Sequence, residues 1–361
     1  MSNNPHELAA HNLKCSLDLS DGELMHPDYD SKVLWAPTGQ LWTPDQERGL
    51  ECVLPVRVTQ ILTKQAKRKI TLVNLMAWSD DPNRLHVDDE HPLKDIHGRI
   101  QGAQAARDLN ADVTVIHVGN PGVQSPTMLE RCGVALGKNQ VNRLTDEQIR
   151  DLRQGSFGAV SRDIATATLN ALQEENVADH EVYFIAPSLA ASIGAAGLVT
   201  VLLEKGVDVK GLAMLDGVGF TSAPAALRAM QFMSANGAAE LYKQANHPLQ
   251  QEVEVEGMPE YLRRVAESAQ ANWLYGRRGI PAGKIPADLM GQAGLFKETG
   301  VHILSYSAGN SEFGKTTIEA SRQTMGKLSN MGVNAEHMEL RGAGHGATTT
   351  TEWYREALRK M

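Results

Sequence analysis

The sequence has few cysteines and no long apolar run. Its 361 residues include three cysteines, Cys15, Cys52 and Cys132, which are odd in number and have no C-x-x-C spacing. Such cysteines predict neither a disulfide framework nor a thiolate metal site. No apolar run approaches the ~18 residues that a transmembrane helix needs, and the N-terminal segment has no apolar signal-peptide region. We therefore expect a protein without a membrane span that is cytoplasmic, or exported without a signal peptide.

Basic residues are not in excess either. The net charge of -8 argues against nucleic acid or an anionic membrane as the main partner. With 42% hydrophobic, 22% charged and only 5% aromatic residues, the composition is typical of a globular protein. The length predicts one large domain with an insertion, or two domains.

Strand patterns alternate with helical patterns from about residue 50 onward. Continuous apolar runs at residues 70–76 and 111–118 are typical of central parallel strands. Strand, helix and strand in that order predict an α/β fold with a doubly wound, mostly parallel sheet. The alternation stops at Phe220, and until about Ile285 the sequence is helical or irregular. This block predicts a helical cap inserted between two core strands.

The first 48 residues are polar, show little periodicity and predict an N-terminal arm. Within it, residues 33–35 and 41–42 flank a turn-forming stretch and predict a hairpin of two short strands. The expected organisation is an arm at 1–48, a core at 49–218 and 287–361, and a helical cap at 219–286.

A predicted strand leads directly into a predicted helix through a serine. Residues 182–185 form a β-branched and aromatic run, and the residues after Leu189 are small and compatible with a helix. Ser188 lies at the junction. In a nucleophile elbow, such a turn lifts the hydroxyl above the sheet and directs the helix N-terminus at it. Ser188 is therefore the candidate nucleophile.

This stretch resembles the G-x-S-x-G elbow of the α/β-hydrolase superfamily, with Ala186 and Ala190 in place of the two glycines. After the last predicted strand, RGAGHGA resembles the superfamily's G-x-G-H-G histidine loop and contains His345. The resemblance covers about residues 50–361. It implies an α/β-hydrolase-like fold with an inserted cap, and functional residues in the chain order serine, acid, histidine.

The resemblance implies a catalytic triad. Ser188 would be the nucleophile and His345 the base. The acid follows the preceding strand in a G-x-x-D pattern, and at that position this chain has Glu312 in the segment GNSE. Asp216, at the end of the predicted strand LAMLD, is the alternative acid. A carboxylate of either length can orient an imidazole.

The same resemblance places the oxyanion donors. They are the backbone N–H groups of Leu189 and Trp78, although the superfamily's H-G pair is replaced by Met76 and Ala77 before Trp78. The activity implied is hydrolysis of a carboxylic ester or related acyl compound by a serine esterase, a reaction that requires no cofactor.

Three other segments suggest a site, but each matches its motif less well. Ser192 lies in an A-x-S-x-G pattern, but a full turn inside the predicted helix. The segment NPGVQSP has too few glycines for a dinucleotide fingerprint. A cluster of histidine, aspartate and glutamate residues contains side chains that can bind metals. It predicts a solvated acidic loop, because ligands that follow one another in the chain do not converge on one ion. Its members are His86, Asp88, Asp89, Glu90 and His91.

Three functions remain open, because a fold alone does not imply an activity. The first is a serine hydrolase acting on a small-molecule ester or acyl substrate. The second is a catalytically degenerate α/β-hydrolase-like module that binds in a larger assembly through the arm and cap, or as a homo-oligomer. An acyltransferase using the same triad is a third.

Overall fold

The computed structural model describes residues 30–43, 49–61, 66–76, 109–123, 135–228, 230–231, 268–340, 345 and 357–361. Its strands form one sheet in the order β1-β2-β4-β3-β6-β7-β8-β9, with β5 paired to β2. The strands are β1 (Asp30–Trp42), β2 (Leu50–Ile61), β3 (Arg68–Leu75), β4 (Ala111–Val118), β5 (Gln140–Val141), β6 (Glu181–Pro187), β7 (Val209–Leu215), β8 (His302–Ala308) and β9 (Ala335–Leu340).

The sheet is mostly parallel. β2 runs antiparallel to both β1 and β4, whereas all neighbours from β4 to β9 are parallel. β6 and β8 are buried along almost their whole length, as expected for parallel strands covered on both faces. The predicted α/β fold with a mostly parallel sheet is confirmed.

The side chains on the two faces of the sheet pack into two separate apolar clusters. Phe184 packs into the larger cluster with the helices of the core, whereas its neighbours Tyr183 and Ile185 point to the other face. The α-helices whose two ends both lie among the described residues are α1 (Asp146–Arg153), α2 (Gly158–Glu174), α3 (Leu189–Ile193), α4 (Val199–Glu204), α5 (Ile285–Thr299) and α6 (Lys315–Asn330). A π-helical turn, Gly194–Leu198, joins α3 to α4. In the described part of the chain, no helix is both long and apolar enough to cross a membrane.

Part of the predicted N-terminal arm belongs to the sheet, and the predicted hairpin is wrong. Residues 33–35 and 41–42 lie on one strand, β1, which pairs with β2 and shifts register between Pro37 and Leu41. The turn-forming residues make a bulge in that strand, where Gly39 has a φ of 77°. Pairing along the whole edge of β2 outweighs the local preference for a turn. Residues 1–29 lie outside the described residues.

Most of the predicted cap, residue 229 and residues 232–267, also lies outside the described residues. Its last part packs on the core through a π-helical turn, Tyr275–Gly279. The Tyr275 hydroxyl donates a hydrogen bond of 3.0 Å to the Pro121 carbonyl, and its ring stacks on Phe157 at a centroid distance of 5.9 Å.

The loop after β7 passes directly over α3. A Cβ on Gly217 would lie 2.7 Å from the Cβ of Ala191, and a Cβ on Gly219 would overlap the Ser192 hydroxyl. These glycines allow the close approach that brings the end of β7 beside the start of α3.

We expect Gly217→Ala to destabilise the protein by ~1–3 kcal/mol, because the added methyl group overpacks against Ala191. The control is Gly326→Ala in α6, where nothing lies within 4 Å of the added Cβ. That change should stabilise by ~0.5–1 kcal/mol, because alanine is the better helix former. Urea unfolding measures both effects, and a Gly217→Ala variant as stable as the wild type would contradict the close contact.

A buried carboxylate lies on α2. Asp163 is 2% exposed, and its burial raises the pKa to about 7. The Gln148 side-chain amide donates a hydrogen bond of 2.6 Å to this carboxylate. Because the folded-state pKa lies above the unfolded value of about 3.9, Asp163 favours the folded state at low pH. This contribution is lost as the pH rises from about 4 through 7.

We therefore expect Asp163→Asn to raise the free energy of unfolding more at pH 8 than at pH 5. The difference between the two pH values is expected to be ~2–3 kcal/mol, because about two pKa units of the shift take effect between pH 5 and pH 8 and each unit corresponds to ~1.4 kcal/mol. Urea unfolding of both proteins at both pH values measures this difference. An equal effect of the substitution at pH 5 and pH 8 would contradict the raised pKa.

Candidate active site

The candidate site lies at the carboxyl edge of the parallel strands, where ligands bind in open α/β sheets. Ser188 follows β6 directly, Asp216 follows β7, and residues 309–314 form the loop after β8. β6 pairs with β7 and β7 pairs with β8, so these three strand ends are adjacent.

Ser188 has the backbone of an elbow. Its φ of 54° and ψ of -116° lie in a region that non-glycine residues rarely occupy, at a typical cost of ~1–3 kcal/mol. The conformation is held on both sides: the Ser188 N–H donates to the Leu215 carbonyl at 2.9 Å, and α3 begins at Leu189. The strand therefore turns sharply into a helix at the serine, as the sequence predicted.

His345 bridges the serine and an aspartate. Its Nε2 lies 2.9 Å from Ser188 Oγ, and its Nδ1 lies 2.7 Å from Asp216 Oδ2. A carboxylate can only accept hydrogen bonds, so Nδ1 carries the ring proton and Nε2 is free to accept from the hydroxyl. All three side chains are buried, with Ser188 5% exposed. This geometry allows the ring to take a proton from the serine.

The first choice of acid from the sequence, Glu312, is corrected by the structure. The Glu312 carboxylate accepts the backbone N–H of His345 at 3.1 Å, whereas the ring nitrogen contacts the alternative acid, Asp216. Asp216 lies on the strand next to the serine's own, and its φ of 47° is also positive. Position along the chain favoured Glu312, but the order of the strands brings Asp216 to the ring.

The loop after β8 holds the Asp216 carboxylate in place. The Ser311 hydroxyl donates to Asp216 Oδ2 at 2.6 Å, and the Ala308 N–H donates to Oδ1 at 3.1 Å. With His345, this makes three donors around one buried carboxylate. Ser311 was not predicted, although it lies beside Glu312 in the segment GNSE.

Phe313 contacts the His345 ring and Arg228 contacts Phe313; neither side chain was predicted. Phe313 contacts the ring edge-on, with centroids 4.6 Å apart and an interplanar angle of 76°. The guanidinium of Arg228, which is 1% exposed, lies 5.6 Å from the centre of the Phe313 ring. Arg228 donates a hydrogen bond of 2.6 Å to the Thr221 carbonyl, and burial lowers its pKa.

One of the two expected oxyanion donors has a defined position. Leu189 is the first residue of α3, where backbone N–H groups have no acceptor within the helix. The other, Trp78, lies outside the described residues. The strand end that leads to it is held by Asn120, whose side-chain amide donates to the Met76 carbonyl at 3.0 Å.

The rival nucleophile, Ser192, finds no geometric support. Ser192 lies inside α3, and its buried hydroxyl makes no hydrogen bond within the described residues. Over those same residues, no three histidine, cysteine or carboxylate side chains are grouped as metal ligands. The acidic segment at 86–91 lies outside them.

Comparisons with known proteins bear on the fold. Over 92% of this chain and 88% of the other, the structure is similar to the peroxisomal α/β-hydrolase Lpx1 of Saccharomyces cerevisiae, with 12% identity and a TM-score of 0.50. The structure is also similar to 2-hydroxy-6-oxo-6-phenylhexa-2,4-dienoate hydrolase of Rhodococcus sp. strain RHA1, over 92% of this chain and 98% of the other. The identity is 12% and the TM-score 0.48. No family model and no curated protein sequence matches. The likeness to Lpx1 confirms the predicted α/β-hydrolase fold.

We expect Asp216 and Glu312 to affect the His345 ring differently. In the wild type, the Nδ1 proton should give a low-field ¹H resonance, because it is shared with a buried carboxylate. Asp216→Asn should move this resonance upfield or abolish it, since an amide is a weaker acceptor. Glu312→Gln should preserve it. NMR of protein labelled with ¹⁵N-histidine makes the measurement, and loss of the resonance in Glu312→Gln alone would contradict the assignment.

Proposed function

We propose that this chain of α/β-hydrolase fold is a serine hydrolase that cleaves a carboxylic ester or a related acyl compound. Ser188 is the nucleophile, His345 the general base and Asp216 the acid that orients the ring. The observation that supports this most is the line of hydrogen bonds from Ser188 Oγ through both ring nitrogens of His345 to Asp216.

In the first half of the proposed reaction, Ser188 Oγ attacks the carbonyl carbon of the substrate as its proton passes to His345 Nε2. Asp216 stabilises the resulting imidazolium through Nδ1. The negative charge that forms on the carbonyl oxygen is stabilised by backbone N–H groups, for which Leu189 is the candidate; a donor of this kind contributes ~3 kcal/mol. His345 then protonates the leaving alcohol, and an acyl-enzyme remains.

In the second half, a water molecule gives a proton to His345 Nε2 and attacks the acyl carbon. The tetrahedral intermediate collapses as the ring returns that proton to Ser188 Oγ, and the carboxylic acid is released. The proposed substrate is a small molecule, since the serine is almost fully buried. If an alcohol took the place of water, the same residues would perform acyl transfer.

The alternative function is a catalytically degenerate module that binds in a larger assembly. The replacement of the two elbow glycines by Ala186 and Ala190 favours this alternative. Against it, Ser188 retains the strained elbow backbone. Ala186 and Ala190 are both fully buried, and with these alanines in place the Ser188 hydroxyl still lies 2.9 Å from His345 Nε2.

We expect a fluorophosphonate probe to label the wild type and not Ser188→Ala, because the probe reacts only with an activated serine. The matched control is Ser192→Ala, which should be labelled like the wild type. With p-nitrophenyl esters of graded chain length, Ser188→Ala and His345→Ala should each lower kcat/KM on the order of 10³-fold or more.

Two outcomes would contradict this proposal. If folded wild-type protein is not labelled and hydrolyses none of the esters, the degenerate module is favoured. If Ser188→Ala is still labelled and Ser192→Ala is not, the nucleophile is misassigned. Circular dichroism of each variant shows that the fold is retained.

A further inference from the structure

An open cleft of about 420 Å³ lies outside the proposed catalytic residues, between the end of α1 and the turns that precede α5. Three arginines line it. Arg153 comes from the last turn of α1, whereas Arg277 and Arg278 come from the turn Tyr275–Gly279 on the opposite side. Gln154 and small or apolar residues complete the lining, which contains no carboxylate.

Within the described part of the chain, these arginines lack the carboxylate partners that Arg162 and Arg322 have. Arg162 pairs with Glu147, and Arg322 pairs with carboxylates on both sides. By contrast, no carboxylate among the described residues lies within 4 Å of a guanidinium of the cleft, and all three arginines are exposed. The protein as a whole carries a net charge of -8. Three like charges around one cleft repel each other, and a bound anion would relieve that repulsion.

The walls of the cleft are fixed by close backbone contacts. Gly155 has a φ of 75°, and a Cβ on it would overlap that of Ala282 across the cleft floor. A Cβ on Gly279 would lie 2.6 Å from the Phe157 ring. The Ala223 N–H donates a hydrogen bond of 3.1 Å to the carbonyl of Pro281. Because the backbone is held in this way, little reorganisation is needed for a ligand to bind.

One arginine is also oriented by an aromatic ring. The Arg277 guanidinium carbon lies 5.4 Å from the centre of the Trp273 ring, which is 48% exposed. This cation–π contact holds the side chain at the surface, with its N–H groups available to a ligand.

We propose that this cleft binds a small molecule through a diphosphate group. The planar fork of a guanidinium matches two phosphate oxygens, and each arginine offers five donors. Three positive charges on opposite walls suit a diphosphate, with about three negative charges at neutral pH, better than a single phosphate, with about two. The volume of the cleft falls within the roughly 300–1,000 Å³ of small-ligand sites. The source of the group is either free diphosphate or a nucleoside diphosphate.

The test is isothermal titration calorimetry at constant ionic strength with pyrophosphate, adenosine diphosphate, orthophosphate and sulfate. The protein is used as the wild type, as Arg153→Gln and as the double variant Arg277→Gln/Arg278→Gln. Arg322→Gln, which removes an exposed arginine from α6, is the matched control. We expect pyrophosphate to bind the wild type and the control equally, and each cleft variant at least tenfold more weakly. Thermal unfolding without ligand checks that the variants remain folded.

Comparing pyrophosphate with adenosine diphosphate shows whether the cleft binds free diphosphate or a nucleoside diphosphate. Binding of both diphosphates with similar affinity assigns the site to the diphosphate group itself, and much tighter binding of the nucleotide adds a contact to the nucleoside. The proposal is overturned if neither diphosphate binds the wild type, if sulfate binds as tightly, or if the cleft variants bind like Arg322→Gln. None of these results affects the proposed hydrolase, because ester cleavage is measured separately.

Discussion

The hydrogen bond between Asp216 and His345 is the interaction on which the candidate site depends. His345 lies far along the chain from the serine, and its ring needs a fixed orientation to accept the serine proton. The Asp216 carboxylate fixes this orientation, because three donors hold its two oxygens and Asp216 follows the strand next to that of Ser188. The parallel sheet therefore acts on the site by bringing two strand ends together.

Much of this arrangement could be predicted from local patterns. The strand before Ser188 is a short segment whose residue types indicate its own geometry, and this geometry agrees with the structure. His345 reaches Ser188, whereas the glycines on either side of it lie outside the described residues. Which carboxylate contacts the His345 ring, Glu312 or Asp216, could not be predicted from a local pattern. It depends on which strands are neighbours, and sequence patterns indicate that a strand exists more readily than they indicate its place in a sheet.

The other differences have the same origin. The stretch at 36–40 has the residues of a turn, yet it forms a bulge because β2 offers a long partner edge. Phe313 contacts the His345 ring, and Arg228 lies over Phe313, although these residues come from segments distant in the chain. Nothing in their local sequence distinguishes them from ordinary core residues. Contacts between distant segments explain both the missed residues and the wrong hairpin.

The most direct test of the central claim is a crystal structure of the protein after reaction with a phosphonate inhibitor. We predict electron density continuous from Ser188 Oγ to phosphorus, a phosphoryl oxygen at the Leu189 N–H, and Asp216 at hydrogen-bond distance from His345 Nδ1. An adduct on Ser192, or a ring oriented by Glu312 in place of Asp216, would contradict the account.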